Sequence, residues 1–311
     1  MLPNHPLFSE AGAFDDPHLQ WARLTGRTPK ADRDRLEASF RLALRLHAAH
    51  ARSSAQQPGS VTSMSHVVRS GCILALEWDV PEPEAIATAL LHDSLEECAQ
   101  SEQSAIAAEI EQTAGPDVSQ AVWKLTRFSL PEAVPAETRG RRDAEYFRGI
   151  RTAARWVRLV KCAVRLDSLR DAVMRSDRAA WRAAGVETMG WHLYLARETS
   201  AIAEASLFAA LVDGERYFNG AVPVWADGHL VDPDAARSVP EHIALAHEVV
   251  GVAVRGASLV VGTTRPLDTP LLADIRSAIN AGGYDFQSIE PIEISTGALE
   301  DVLAARYRHA Q

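Results

Sequence analysis

The 311-residue chain has no uninterrupted apolar run of membrane-spanning length, and its first residues lack a basic segment followed by an apolar stretch. These absences argue against membrane insertion and against secretion. Cysteine is also scarce, since only Cys72, Cys98 and Cys162 occur, scattered through segments of helical character. An odd, scattered set is typical of small buried side chains in a reducing compartment. We therefore expect a cytoplasmic protein with no membrane span.

A surplus of positive charge is absent as well, because 41 acidic residues outnumber 32 lysines and arginines and give a formal net charge of −9. This balance disfavours a nucleic-acid partner. Between Arg139 and Arg182, however, twelve arginines and one lysine stand against five acidic residues. A locally basic segment in an acidic protein is suited to holding a small polyanion.

No internal repeat or low-complexity tract is present, and most of the chain has helical spacing. Residues 1–30 show no sustained periodicity and are predicted to form an irregular N-terminal arm. Residues 31–214 predict a helical domain, because apolar positions recur every three or four residues in segments near 32–50, 63–79, 83–98, 103–114, 116–127, 137–173 and 178–211. Turn residues such as Gly115-Pro116 separate these segments.

The pattern changes after Gly214. Residues 215–236 are rich in glycine and proline and predict a connector. Residues 237–311 predict a small α/β domain, with strands at 248–254, 258–262 and about 287–292 and helices at 268–281 and 295–308. The expected fold class is mainly α, a helical bundle followed by a small α/β domain.

The most informative motif is the end of an apolar helical run at Ala87–Glu97, where four ionisable side chains follow within about one and a half turns. On a continuous helix His92 and Glu96 share a face, and so do Asp93 and Glu97. An imidazole beside a carboxylate at a buried position suits a divalent metal, and the nearby glutamates are placed to handle an activated water.

Further ligands must come from other helices. His66 follows a loop rich in Gly, Ser and Thr, at the first turn of a helix, where a histidine is otherwise a surface or capping residue. Asp167 falls in the middle of the apolar face that Trp156, Val160 and Ala163 define. A buried carboxylate needs a partner. That partner is either the metal or an arginine, such as Arg170 or one from another helix.

In this order, these segments resemble the metal-dependent HD hydrolases of the RelA/SpoT type, which remove the 3′-pyrophosphate of (p)ppGpp. The resemblance covers about residues 35–212. Its carriers are Ala49-His50, the loop from Arg52 to His66, Ala89–Glu97, Gly115 with Val122–Arg127, and Val160–Arg170. The pairing of Ala-Leu-Leu-His-Asp-x-x-Glu with a later Lys-x-Ala-x-Arg-Leu-x-x-Leu-Arg helix is fairly specific.

The resemblance implies a metal site and a water-activating pair. It places His66, His92 and Asp93 at three ligand positions, with manganese the usual ion, and Asp167 is our prediction for the fourth. Glu96 and Glu97 fall where the family has a Glu-Asp pair that orients the attacking water.

It also implies a nucleotide polyphosphate substrate. Arg52 falls near a basic residue that contacts the base. The remaining substrate-binding positions are those of Arg127, Lys161, Arg165 and Ser168.

The chain departs from the family at several positions. Val164 stands where the family's fourth ligand is an aspartate, and Asp167 is one helical turn later. Ser168 replaces an asparagine, and Val67 follows His66 where proline is usual. Two alternatives to the nucleotide pyrophosphohydrolase therefore stay open: an inactive HD-fold regulator that binds a nucleotide or protein, and an HD phosphohydrolase for another phosphoester.

The C-terminal segment has a fainter likeness. Pro240–Ala246, Val252–Val254 and Leu259–Asp268 resemble the later part of the N-terminal domain of type II secretion and pilus ATPases. This implies a docking or sensing domain with a possible protein partner, and a plain structural appendage is the alternative.

Overall fold

The structure, a computed structural model, describes residues 13–53, 60–128, 134–219, 224–227 and 229–307. The chain divides into two compact units. The first unit comprises Met1–Ser129, Arg148–Asp171 and Leu195–Ser206, and the second comprises Leu130–Phe147, Ala172–Tyr194 and Leu207–Gln311. Within the described residues, no helix combines the length and apolar character needed to cross a bilayer.

Helices dominate the part of the chain before residue 220. They are α1 (Pro17–Arg27), α2 (Lys30–Ser53), α3 (Ser60–Cys72), α4 (Pro83–Leu91), α5 (Gln103–Ala114), α6 (Pro116–Leu125), α7 (Ala136–Arg151), α8 (Arg155–Met174), α9 (Arg178–Glu187), α10 (Leu193–Arg197) and α11 (Ala201–Asn219). A π-helical segment follows α3 at Ile73–Glu77, and another follows α9 at Thr188–His192.

The core of the first unit lies where α1 to α6 meet. Trp21 of α1 stacks on Phe40 of α2 with ring centroids 4.4 Å apart. Leu90 of α4 and Val67 of α3 are fully buried in the same cluster. Burying such apolar surface is the main source of stability, and it places α3 and α4 in the interior.

The second unit contains the strands. They are β1 (Trp225–Ala226), β2 (His229–Leu230), β3 (Val249–Arg255), β4 (Ser258–Thr263) and β5 (Ser288–Glu293), accompanied by α12 (Pro233–Ser238), α13 (Glu241–His247), α14 (Thr269–Ala281) and α15 (Thr296–Tyr307). The three-stranded sheet has the order β3-β4-β5, antiparallel and then parallel. Gly256, at φ +60°, supplies the left-handed residue of the β3–β4 turn. The predicted fold class, mainly α with a small α/β segment, is confirmed.

Three sequence predictions need correction. The predicted irregular arm of residues 1–30 contains α1, which begins at Pro17 after Asp16 caps the amides of His18 and Leu19. The helix predicted over 83–98 ends at Leu91. The helix predicted over 137–173 breaks between Arg151 and Arg155.

The two units also differ from the predicted division at residues 215–236. Helical residues before the predicted boundary belong to the second unit because they pack there. Phe147 stacks on Trp191 with centroids 4.9 Å apart, and Arg255 of β3 donates a 2.7 Å hydrogen bond to the carbonyl of Gly190. Arg255 also lies over the ring of Tyr194. The sheet is thus covered by residues that periodicity assigned to the helical domain.

Candidate metal centre

The His-Asp motif lies in a tight turn directly after α4. Ser94 N–H donates to the carbonyl of Leu91 and Glu96 N–H to that of Asp93, so bonds between residues three apart occur here, while Glu97 N–H also donates to the carbonyl of Asp93. The His92 side chain also bonds to the backbone of this region, because its ring Nδ1 donates to the carbonyl of Ala89 at 2.8 Å. This turn, rather than a continuous helix, aims the side chains of the motif into the first unit.

That hydrogen bond determines which nitrogen of His92 is available. A carbonyl only accepts, so Nδ1 carries a proton, and in the neutral ring Nε2 is the nitrogen that keeps a lone pair. His92 Nε2 is buried and lies 2.9 Å from Asp93 Oδ1, close enough for an ion pair when the ring is protonated. The approach of this nitrogen to a largely buried carboxylate requires positive charge between the two atoms, supplied either by a proton on Nε2 or by a bound cation.

His66, on α3, is held in a matching way. Its Nδ1 lies 2.7 Å from Asp167 Oδ2, an acceptor, so Nδ1 is the protonated nitrogen and Nε2 is left for a ligand. The rings of His66 and His92 approach to 5.3 Å between centroids. One ligand atom each from His66, His92 and Asp93 lie within 4.8 Å of one another. Helix α3 and the turn after α4 therefore bring together the three predicted ligands.

The electrostatics of the cluster also favour a cation. Burial acts to lower the pKa of His92, but the charge and hydrogen bond of Asp93 outweigh it and raise the pKa. Burial acts to raise the pKa of Asp93, yet the neighbouring His92 holds it well below its usual range. Two imidazoles and one carboxylate form a common donor set for a divalent transition metal, and three protein ligands leave a position open for water.

Asp167 is fully buried on α8, but its oxygens are engaged elsewhere. Arg69 of α3 donates from Nε to Oδ1 at 2.6 Å and from Nη2 to Oδ2 at 2.8 Å, and Oδ2 also accepts from His66. This geometry favours a role in orienting His66 over the predicted role of fourth ligand. The arginine partner left open by the sequence is Arg69, whereas Arg170 pairs with Glu77 at 2.8 Å.

Glu97 makes contacts that the sequence did not predict. Its Oε2 lies 2.7 Å from His47 Nδ1, and its Oε1 accepts from the Ser63 hydroxyl at 2.7 Å. Burial acts to raise the pKa of Glu97, but these two hydrogen bonds outweigh it and lower the pKa. His47 was missed, although its spacing from Leu36, Phe40 and Ala43 marks the buried face of α2.

Glu96 has a different environment. One of its oxygens accepts from the backbone N–H of Arg127, which follows α6. Burial raises the pKa of Glu96, and the Asp93 charge adds to that effect, while the Arg127 N–H opposes it. Of the two predicted catalytic glutamates, Glu96 is therefore the one whose carboxyl environment favours holding a proton.

The predicted substrate residues occupy separate positions. Lys161, Arg165 and Ser168 are half-buried on one side of α8, and the charge of Lys161 is close enough to act on the pKa values of His92 and Glu96. The Ser168 hydroxyl donates to its own helix, to the carbonyl of Val164 at 3.0 Å. Arg127 is half-buried near Glu96. Arg52 lies in the last turn of α2, and its side chain is outside the described residues.

Comparison with known proteins defines the class. A family model described as "HD domain" matches residues 40–196, about half of the chain, and the chain belongs to this family of metal-dependent phosphohydrolases. A search of curated proteins finds no match. Among solved structures, the chain is similar to a metazoan ortholog of SpoT, described as hydrolysing ppGpp and acting in starvation responses, at 22% identity. The similarity covers 55% of this chain and 93% of that one, with a TM-score of 0.41.

Proposed function

We propose that the protein hydrolyses the 3′-pyrophosphate of (p)ppGpp or a closely related nucleotide, with a divalent cation held by His66, His92 and Asp93. The convergence of these three side chains, with both histidines presenting Nε2, is the observation that carries the proposal. Manganese is the expected ion, from the sequence resemblance to RelA/SpoT hydrolases. The same resemblance supports the substrate, and the proposed location is the cytoplasm.

The residues around the cluster have distinct proposed roles. A divalent metal supplies Lewis acidity that brings the pKa of an attacking water toward neutrality. Glu96 takes the proton from that water, because Glu97 is tied to His47 and Ser63. Lys161 and Arg165, one turn apart on α8, neutralise charge that develops on the phosphoryl oxygens.

The direct test is pyrophosphate release from ppGpp by the purified full chain, with and without Mn²⁺. We expect metal-dependent release that is abolished in His92→Ala and Asp93→Ala, and a loss of about a hundredfold or more in Glu96→Gln. The matched control is His242→Ala, which removes an exposed histidine outside the cluster and should keep full activity. Failure of the manganese-loaded protein to cleave ppGpp and other 3′-pyrophosphorylated nucleotides contradicts the proposal.

A second function is favoured by one specific observation. Val164 stands where an acidic ligand occurs in the resembling hydrolases, and Asp167 is engaged by Arg69 rather than open to a metal. A three-ligand site in this chain is compatible with an HD-fold regulator that binds a nucleotide without turnover. Calorimetry with ppGpp in the presence of Mn²⁺ distinguishes the two, since the regulator binds the nucleotide and leaves it intact.

A further inference from the structure

We infer that Arg69 is a positioning residue for the metal centre, acting through Asp167 to hold the ring of His66 in its ligand orientation. This inference rests on the proposed metal site and adds a residue that the sequence analysis did not single out. It also gives a role to the turn at Ala13–Asp15, which precedes α1 and lies against the same guanidinium.

The first part of the relay is a shared carboxylate oxygen. Asp167 Oδ2 accepts both from His66 Nδ1 at 2.7 Å and from Arg69 Nη2 at 2.8 Å, while Oδ1 accepts from Arg69 Nε at 2.6 Å. Arg69 and Asp167 are each 1% exposed. The fork of the guanidinium therefore fixes the plane of the carboxylate, and the carboxylate fixes the ring. Partners of this kind set the orientation and tautomer of histidine ligands in metal sites.

The second part is the anchor that holds the guanidinium itself. Arg69 Nη1 donates to the carbonyl of Phe14 at 3.1 Å, and the guanidinium carbon lies 3.8 Å from the centre of the Phe14 ring. On the other side, Nη2 donates to Asp171 at 2.8 Å. The turn is itself attached to the unit, because the Ser65 hydroxyl, next to His66, donates to the carbonyl of Asp15 at 3.0 Å.

These contacts require the shape of arginine as well as its charge. The planar group donates to Asp167, Phe14 and Asp171 at once, and its central carbon lies over the Phe14 ring. A lysine supplies a compact ammonium that has neither the fork nor the flat face. Charge neutralisation alone predicts that lysine suffices, whereas positioning predicts that it does not.

The test measures metal binding by the full chain, independently of activity. Co²⁺ affinity is measured by titration, and the visible absorption of the bound Co²⁺ reports the ligand geometry. We expect Arg69→Gln to weaken Co²⁺ binding by about tenfold or more and to change the absorption band. Arg69→Lys should weaken binding and change the band in the same direction. Phe14→Ala keeps the backbone carbonyl but removes the ring, and it should likewise weaken Co²⁺ binding and change the band. This variant tests the inference if the Arg69 variants do not fold.

The matched control is Arg170→Gln. It removes a similar two-pronged ion pair of the same unit, with Glu77, at 2.8 and 3.0 Å. Its thermal stability should fall while Co²⁺ affinity and absorption stay those of the unmodified protein. Arg69→Gln and Arg69→Lys with unchanged affinity and absorption overturn the inference. Failure of the unmodified protein to bind Co²⁺ or Mn²⁺ refutes the proposed metal site itself, so the two failures are distinguishable.

Discussion

Metal removal should destabilise the protein by an amount that the cluster geometry allows us to estimate. His92 Nε2 and Asp93 Oδ1 lie 2.9 Å apart in the interior, and His66 adds a third donor. The unfolded chain does not hold these atoms together, so a cation binds the folded state preferentially. A ligand at a hundred times its dissociation constant then adds about 2.7 kcal/mol to the free energy of unfolding.

That free energy corresponds to a measurable shift. For a unit of roughly 150–250 residues, 1 kcal/mol moves the midpoint by about 2–4 °C, so saturating Mn²⁺ should raise Tm by about 5–10 °C over the chelated protein. Differential scanning fluorimetry at several Mn²⁺ concentrations measures the rise. The midpoint should continue to climb with the logarithm of the metal concentration above saturation.

The decisive comparison uses two buried histidines. His92→Ala removes a proposed ligand, so its Tm should be the same with Mn²⁺ as with EDTA. His192→Ala removes an equally buried histidine of the second unit, outside the cluster, and should keep the metal-dependent rise on a lower baseline. A wild-type Tm insensitive to EDTA, or a His92→Ala variant that keeps the rise, refutes the reasoning.

Three further predictions concern stability. Glu97→Gln should lower the free energy of unfolding near pH 7. Because the pKa of Glu97 is lowered in the folded state, the stability difference from wild type is present above the unfolded-state pKa of about 4.3 and is lost as the pH falls through the folded-state pKa. Urea titrations at neutral and at acidic pH measure this stability difference. Leu90→Ala empties a fully buried site in α4 and should cost about 2–5 kcal/mol in the same assay. Gly149→Ala, in the last turn of α7 with open space around it, should stabilise the protein by up to about 0.5–1 kcal/mol. Gly251→Ala should instead destabilise it, because the new Cβ would meet the carbonyl of Ala235, and a gain in stability from Gly251→Ala contradicts this.

Much of the fold follows from periodicity and turn residues alone. The helix predicted at 103–114 is α5, and Gly115, at φ +97°, followed by Pro116 separates it from α6 as expected. The strands predicted at 248–254 and 258–262 correspond to β3 and β4, which pair antiparallel. These features depend on residues close in sequence, and local patterns report such interactions directly.

The errors have identifiable physical causes. Helix α1 was overlooked because a glycine and several polar residues interrupt its apolar pattern, although the Asp16-Pro17 start signal was present. The end of α4 at Leu91 was missed because the hydrophobic period continues to Leu95 while the backbone already forms turns. Each π-helical segment, such as Ile73–Glu77, shifts the register by about one residue, which a search at a fixed period averages away.

The metal centre shows the same division between local and distant interactions. His92 and Asp93 were recognisable from their motif and His66 from the family resemblance, and the structure brings the ligand atoms of all three together. The partner of Asp167 could not be predicted from the sequence. That partner is set by how α3 packs against α8, and the two helices are about a hundred residues apart in the chain. A buried carboxylate in the middle of an apolar face requires a compensating partner, but its burial alone does not identify that partner.

Position 164 lacks the acidic side chain of the resembling hydrolases, and Asp167 does not replace it in the proposed site. A carboxylate one turn later is fully buried and directs His66 instead of the metal, since Arg69 and the imidazole occupy its oxygens. With Val164 half-buried on the same helix, the cluster keeps three protein donors. Three donors still bind a catalytic metal elsewhere in proteins. Position 164 therefore offers a specific change: we expect Val164→Asp to strengthen Co²⁺ binding by adding a fourth protein donor, and unchanged affinity would contradict a metal position beside residue 164.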